Sequence, residues 1–96
     1  MMKNLIILPT YNESKNIVEI IELIFKQDDS LDILVIDDNS PDGTSYKVKE
    51  LKNIFKSNLH LIIRKNKFGL GSAYIFAFKW AIEKDYEYII SMDADL

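Results

Sequence analysis

Four short apolar runs punctuate the chain, and between them the hydrophobic positions change period. Leu5-Ile6-Ile7-Leu8 is continuous and bounded by Pro9, which predicts a strand buried on both faces. Behind it, Ile17, Val18, Ile20, Ile21, Ile24 and Phe25 recur at helical spacing after Ser14, a residue type that caps helix starts. Ile33-Leu34-Val35-Ile36 predicts a second buried strand. Dense turn chemistry follows at residues 39–43, and Thr44 can cap a helix carrying Val48, Leu51, Ile54 and Phe55. Residues 59–63, interrupted only by His60, predict a third strand. The loop over residues 64–71 leads to a helix over 72–84, where Phe76, Ala77 and Trp80 read as the face packed on the sheet. Residues 88–92 predict the fourth strand.

The predicted order is β-α-β-α-β-α-β, an α/β class with a Rossmann-like parallel sheet and right-handed crossovers. Sheets of this kind bind ligands outside the carboxyl ends of their strands. Residues 9–13, Asp37-Asp38, residues 64–71 and Asp93-Ala94-Asp95 all fall at that edge. Their convergence suggests one site.

Composition narrows the partners. The chain has 96 residues, enough for one domain, and 48% of them are hydrophobic, as a globular core requires. A formal charge of −3 argues against a nucleic-acid surface. With no cysteine, disulfides and thiolate metal sites are excluded. The apolar runs fall short of the ~20 residues that span a bilayer, and the first residues show no cleavage-site pattern. A cytoplasmic domain is the expectation.

The acidic strand ends carry the candidate chemistry. Asp93 and Asp95 set two carboxylates one residue apart at a sheet edge, where they could hold Mg2+ or Mn2+ against a diphosphate. The alternative is a solvated loop. Asp37-Asp38 could accept hydrogen bonds from a nucleobase or ribose, or could simply start the turn before Pro41 and Gly43. The first loop, residues 9–14, has no glycine, and no Gly-x4-Gly-Lys pattern occurs, so dinucleotide and phosphate-loop folds are disfavoured. Tyr11 can stack on a base and Glu13 can accept from sugar or base, or favour a helix start. Arg64, Lys65 and Lys67 could approach phosphate, although a solvated basic loop is the more frequent arrangement. His60 reads as structural, and no Ser/His/Asp set suggests a nucleophile.

Four ordered blocks then carry a resemblance: residues 9–13 (PTYNE), 36–44 (IDDNSPDGT), 69–73 (GLGSA) and 92–96 (MDADL). Together they resemble family 2 glycosyltransferases of the GT-A fold, within them the dolichol-phosphate mannosyltransferases, over Leu5 to Leu96. The resemblance implies that residues 1–96 are the nucleotide-sugar-binding, N-terminal half of a GT-A fold, ending after the acidic motif. It implies that Pro9, Tyr11 and Glu13 line the nucleotide pocket, and that Ile36 and Asp38 contact base and ribose with Asp37 in support. Asp93 and Ala94 would lie against ribose and diphosphate. Asp95, with Asp93, would hold Mg2+ or Mn2+ and serve as the catalytic residue. The implied reaction transfers mannose from GDP-mannose to a polyprenyl phosphate with inversion, at the cytoplasmic face of a membrane. The family's acceptor-binding segment lies beyond Leu96, so donor binding is the expectation for these residues alone. Two further readings stand beside this one: a UDP-sugar-using relative, and a non-catalytic binding or assembly module that self-associates through an exposed sheet edge.

Overall fold

The computed structural model describes residues 3–65 and 69–94, and each predicted strand and crossover is present in it. Strands β1 (Asn4–Thr10), β2 (Asp32–Asp37), β3 (Leu59–Ile63) and β4 (Tyr88–Ser91) form one sheet. Helices α1 (Ile17–Gln27), α2 (Thr44–Phe55) and α3 (Leu70–Glu83) connect them, with a 3-10 turn at Lys56–Asn58. The order is β3-β2-β1-β4, with every pair parallel. The chain steps outward from β1 to β3, then returns across β1 to place β4 on its other side. That reversal makes the β1–β4 junction a topological switch point, the position where such sheets open a ligand crevice.

Alternation along each strand divides the core in two. Ile6, Leu8, Ile33, Val35 and Leu59 face α1 and α2, where Ile17, Ile20, Ile21, Ile24, Phe25, Val48 and Leu51 meet them. Leu5, Ile7, Leu34 and Ile36 face α3 through Ala73, Ala77 and Ala81. Alanines at every fourth position bring this helix close to the sheet. Burying each large aliphatic side chain contributes about 1.5–3 kcal/mol before chain entropy is counted, so the two layers are the main source of stability.

The expected end of β1 at Pro9 is corrected: the strand runs on to Thr10. Ile7 accepts its hydrogen bond from Met92 on the β4 side, so Pro9, two residues on, turns its nitrogen to that same side. The β4 pairing ends at Ile7 and Ser91, so no ladder bond is lost to the proline.

The helix starts also differ from expectation. Ser14 is no cap, because α1 begins at Ile17 after a turn in which Glu13 accepts from the amides of Asn16 and Ile17. Thr44 is the first residue of α2 rather than its cap; left-handed Gly43 precedes it, at φ 88°. Ile54 is 66% exposed and Phe76 46% exposed, so neither packs as its spacing suggested. Phe55 instead stacks on Phe25, with ring centroids 4.4 Å apart.

At the amino edge of the sheet, buried Asp32 accepts from Lys3 Nζ (3.0 Å), Asn58 Nδ2 (3.0 Å) and the Tyr86 hydroxyl (2.6 Å), with His60 Nε2 at 3.3 Å. Trp80 packs its edge on His60 and stacks on Tyr86. This cluster ties together the starts of all four strands, at the opposite end from the acidic loops. His60 belongs to it.

Candidate functional site

Two adjoining clefts open at the carboxyl edge, and both are lined by Pro9 and Tyr11. The first, of about 130 Å³, adds Thr10, Ile36, Asp38, Gly69, Leu70 and Ala73. The second, of about 180 Å³, adds Glu13, Asp93 and Ala94. The second lies across the β1–β4 switch point, where two strand ends diverge and leave room beneath their loops. Seven of the nine residues singled out from the sequence therefore line one continuous groove.

The other two stand apart. Asp37 lines neither cleft. It is fully buried and accepts from the Thr10 hydroxyl (2.6 Å), the Ser40 amide (2.9 Å) and the Ser40 hydroxyl (2.6 Å). Its carboxylate is spent on fixing two loops beneath the site, where it supports Asp38 from below and lines neither cleft itself. Asp95 lies outside the described residues, as does Lys67.

Asp38 is buried and meets Arg64 side on, with Nε to Oδ1 at 2.6 Å and Nη2 to Oδ2 at 2.8 Å. Arg64 also donates to the Ser72 hydroxyl (2.8 Å) and the Gly69 carbonyl (3.3 Å) at the start of α3. A planar guanidinium with five donors can serve three such partners at once. The basic loop is thus not simply solvated: its first cation is a buried strut. Nothing in the spacing of Arg64 distinguished it from Lys65, which is exposed and offers its carbonyl to Asn39 Nδ2 at 3.1 Å.

The loops after β1 and β2 interlock. The Asn12 amide donates to the Ser40 hydroxyl (2.8 Å), the Glu13 amide to the Thr44 hydroxyl (3.0 Å) and the Ser14 amide to Asp42 Oδ2 (3.0 Å). Asp42 Oδ1 in turn accepts from the Thr44 amide and hydroxyl. The little burial Asp42 has pushes its acid up, but hydrogen bonds from Thr44 and Ser14 outweigh this and bring it down to about 2. Asn12 and Asn39 both sit in the left-handed region, at φ 58° and 55°, beside Tyr11 and Asp38 respectively. Asparagine tolerates this better than most residues, and such backbone persists only where its surroundings over-determine it.

The exposed Asp93 faces Glu13 across the second cleft, while Ala94 is buried against the α1 side of the core. Among the described residues no group of three or more His, Cys, Asp or Glu side chains forms a metal cage. The donor set nonetheless fits one kind of ion. Carboxylate oxygens at an open cleft suit a hard divalent cation that keeps most of its coordination for phosphate and water.

Comparison with known proteins places this arrangement. The family model for glycosyl transferase family 2 matches residues 5–96. The chain belongs to that family. Among family 2 relatives, it is 39% identical over 93 residues to polyprenol monophosphomannose synthase of Mycolicibacterium smegmatis, covering 97% of this chain and 35% of that protein. It is 37% identical over 94 residues to undecaprenyl-phosphate mannosyltransferase of Micrococcus luteus, covering 98% and 38%. The chain therefore spans little more than a third of the length of these relatives. Among solved structures it resembles a mannosyltransferase from Pyrobaculum calidifontis in complex with GDP-Man and Mn2+, with a TM-score of 0.76 and 31% identity over 82% of this chain and 24% of that one. S. aureus TarS 1-349 in complex with UDP-GlcNAc gives a TM-score of 0.82 and 34% identity over 98% and 27%. The family 2 fold of the N-terminal part is thereby established.

Proposed function

We propose that this chain is the donor-binding part of an inverting, metal-dependent glycosyltransferase that moves mannose from GDP-mannose to a polyprenyl phosphate. The observation that carries the reading is the division of one groove into two clefts sharing Pro9 and Tyr11. The first, with Ile36 at its floor and Asp38 at its wall, suits a flat base and ribose: an apolar surface for the ring and a carboxylate for its donors. The second, with Glu13, Asp93 and Ala94, suits the diphosphate end. The names of both curated relatives, which act on polyprenyl phosphates, and the GDP-Man complex of the Pyrobaculum enzyme support the mannosyl assignment.

Within this reading each residue has a task. Tyr11 covers the base and Pro9 stiffens the loop beneath it. Asp38, held in one plane by Arg64, offers its oxygens in a fixed direction. Asp93 and Asp95 would hold Mg2+ or Mn2+, which offsets the charge of the diphosphate. A polyprenyl phosphate is already anionic, so transfer to it needs no strong base from these residues. No helix among the described residues is long and apolar enough to cross a membrane, and a lipid acceptor would bring the enzyme to the cytoplasmic face as a peripheral protein.

Two other readings rest on observations of their own. The likeness to TarS in complex with UDP and UDP-GlcNAc favours a UDP-sugar donor. β4 is an edge strand of the sheet, and Tyr88 and Ile90 are exposed on one of its faces, surfaces through which a non-catalytic module could self-associate or be completed by a further chain. Calorimetric titration with GDP-mannose and UDP-GlcNAc, each with Mn2+ and with EDTA, separates them. Metal-dependent binding of GDP-mannose alone is expected. Preference for UDP-GlcNAc would move the donor to the second reading, and binding of neither would leave the module.

A further inference from the structure

Three consecutive amides of the first loop, those of Asn12, Glu13 and Ser14, are each taken by a different side chain of the second loop: Ser40, Thr44 and Asp42. Loops normally leave such amides to water. Here the arrangement is repeated in form. Ser40 accepts from the Asn12 amide and donates its own hydroxyl to Asp37, while Thr44 accepts from the Glu13 amide and donates its own to Asp42. Each amide therefore ends on a carboxylate, which makes the bonds charge-assisted and directional. Lys47 closes the row from below, donating from Nζ to the Ser14 carbonyl at 2.7 Å.

The row is contiguous in the chain with two residues that line the groove. Tyr11 precedes the clamped amides and Glu13 is one of them, and both line the second cleft. The clamp also holds Asn12 at φ 58°, a conformation that would otherwise relax. The two loops thus behave as one body, with Asp38 at its other end.

We infer that Ser40, Thr44 and Asp42 are positioning residues, which set where Tyr11 and Glu13 stand at the donor site without touching the donor. The inference rests on the nucleotide-binding reading above. Its structural half, that the second loop dictates the geometry of the first, does not.

The test reads single amides and nucleotide affinity side by side. Amide hydrogen exchange is measured by NMR on the wild-type chain and on Ser40→Ala, Thr44→Val, Thr44→Ser and Asp42→Ala, together with titration by GDP. The clamp predicts a specific map: Ser40→Ala speeds exchange at Asn12, Thr44→Val at Glu13, and Asp42→Ala at Ser14 and, through the Thr44 hydroxyl it accepts from, at Glu13. Affinity for GDP falls about tenfold in Thr44→Val and Asp42→Ala, as expected for losing one charge-assisted bond, and Thr44→Ser, which keeps the hydroxyl, restores it. A uniform rise in exchange over all amides would mean general destabilisation and overturn the inference. So would a correct exchange map with unchanged GDP affinity. If the wild-type chain does not bind GDP, the donor-site reading itself falls, and the role in binding falls with it. The exchange map then still decides whether the loops are coupled.

Discussion

Arg64 and Asp38 pair through two parallel hydrogen bonds, 2.6 and 2.8 Å long, with both side chains buried at the wall of the first cleft. The pair joins the end of β2 to the start of α3, because the same guanidinium reaches Ser72 and Gly69. Removing one member leaves a buried charge without its partner. Arg64→Ala is therefore expected to cost about 3–5 kcal/mol. Arg64→Lys, which keeps the charge but not the fork, should recover only part of this. Urea denaturation monitored by Trp80 fluorescence checks both, and full recovery by lysine would show that the fork does not matter.

Asp38 should matter for the nucleotide whether or not metal is present. We expect Asp38→Asn, which retains shape and one acceptor, to weaken GDP binding about tenfold in Mn2+ and in EDTA alike. A loss confined to the Mn2+ titration would reassign Asp38 to the diphosphate end.

Asp93→Asn and Asp95→Asn should have the opposite signature. Each is expected to reduce affinity in Mn2+ to the level seen in EDTA, and Asp93→Asn should barely move the unfolding midpoint, since Asp93 is exposed. Calorimetry in both conditions reads the first effect and thermal melting the second. Unchanged Mn2+-dependent affinity in either variant would remove that residue from the metal site.

At the other edge of the sheet, Asp32 makes stability depend on pH. Burial pushes its acid up, but hydrogen bonds from Tyr86, Lys3 and His60 prevail and hold it below the ordinary aspartate value. A carboxylate depressed in the folded state stabilises above its unfolded value and loses that contribution as pH falls through the folded one. Stability should therefore decline below about pH 4, and Asp32→Asn should flatten the decline while costing about 1–3 kcal/mol at neutral pH. The Tyr86 phenol is pushed up by burial and by Asp32, so a second decline is expected in strong base. Urea unfolding across the pH range measures both limbs.

Ala77 is fully buried between α3 and the sheet. Ala77→Leu inserts a branched side chain where the helix has no room to receive it, at a cost of about 1–3 kcal/mol. A stability equal to wild type would mean that α3 can lift without penalty.

Much of this was legible in the chain. The predicted limits of β3 match the strand to the residue, because an apolar run broken only by His60 stands out between polar flanks. Among the groove residues, Tyr11, Glu13, Asp38 and Asp93 stand out as polar chemistry at the ends of apolar strands, whereas Pro9, Ile36 and Ala94 are singled out only by the family resemblance. What stayed hidden depends on distant partners. Ser14 looked like a cap until Asp42, 28 positions away, claimed its amide. Asp37 and Asp38 are neighbours that spacing and residue type alone do not separate, and only the family resemblance assigns them different tasks; in the fold one holds loops below the site and the other lines it. Ile54 and Phe76 have helical spacing, but whether a flank is covered depends on what the sheet sets beside it.

The pairing of β1 with β4 joins the first strand to the last, whereas β2 joins β1, and β3 joins β2, through one helix each. In folding time these are unequal events, since contacts distant along the chain must close the largest loop and tend to form late. The groove residues Pro9, Tyr11, Ile36 and Asp38 can be assembled by the early strands alone. Asp93 arrives only when β4 docks. The acidic half of the site is therefore expected to become competent last among the described strands, and pulse-labelled exchange should find the β4 amides protected after those of β1–β3.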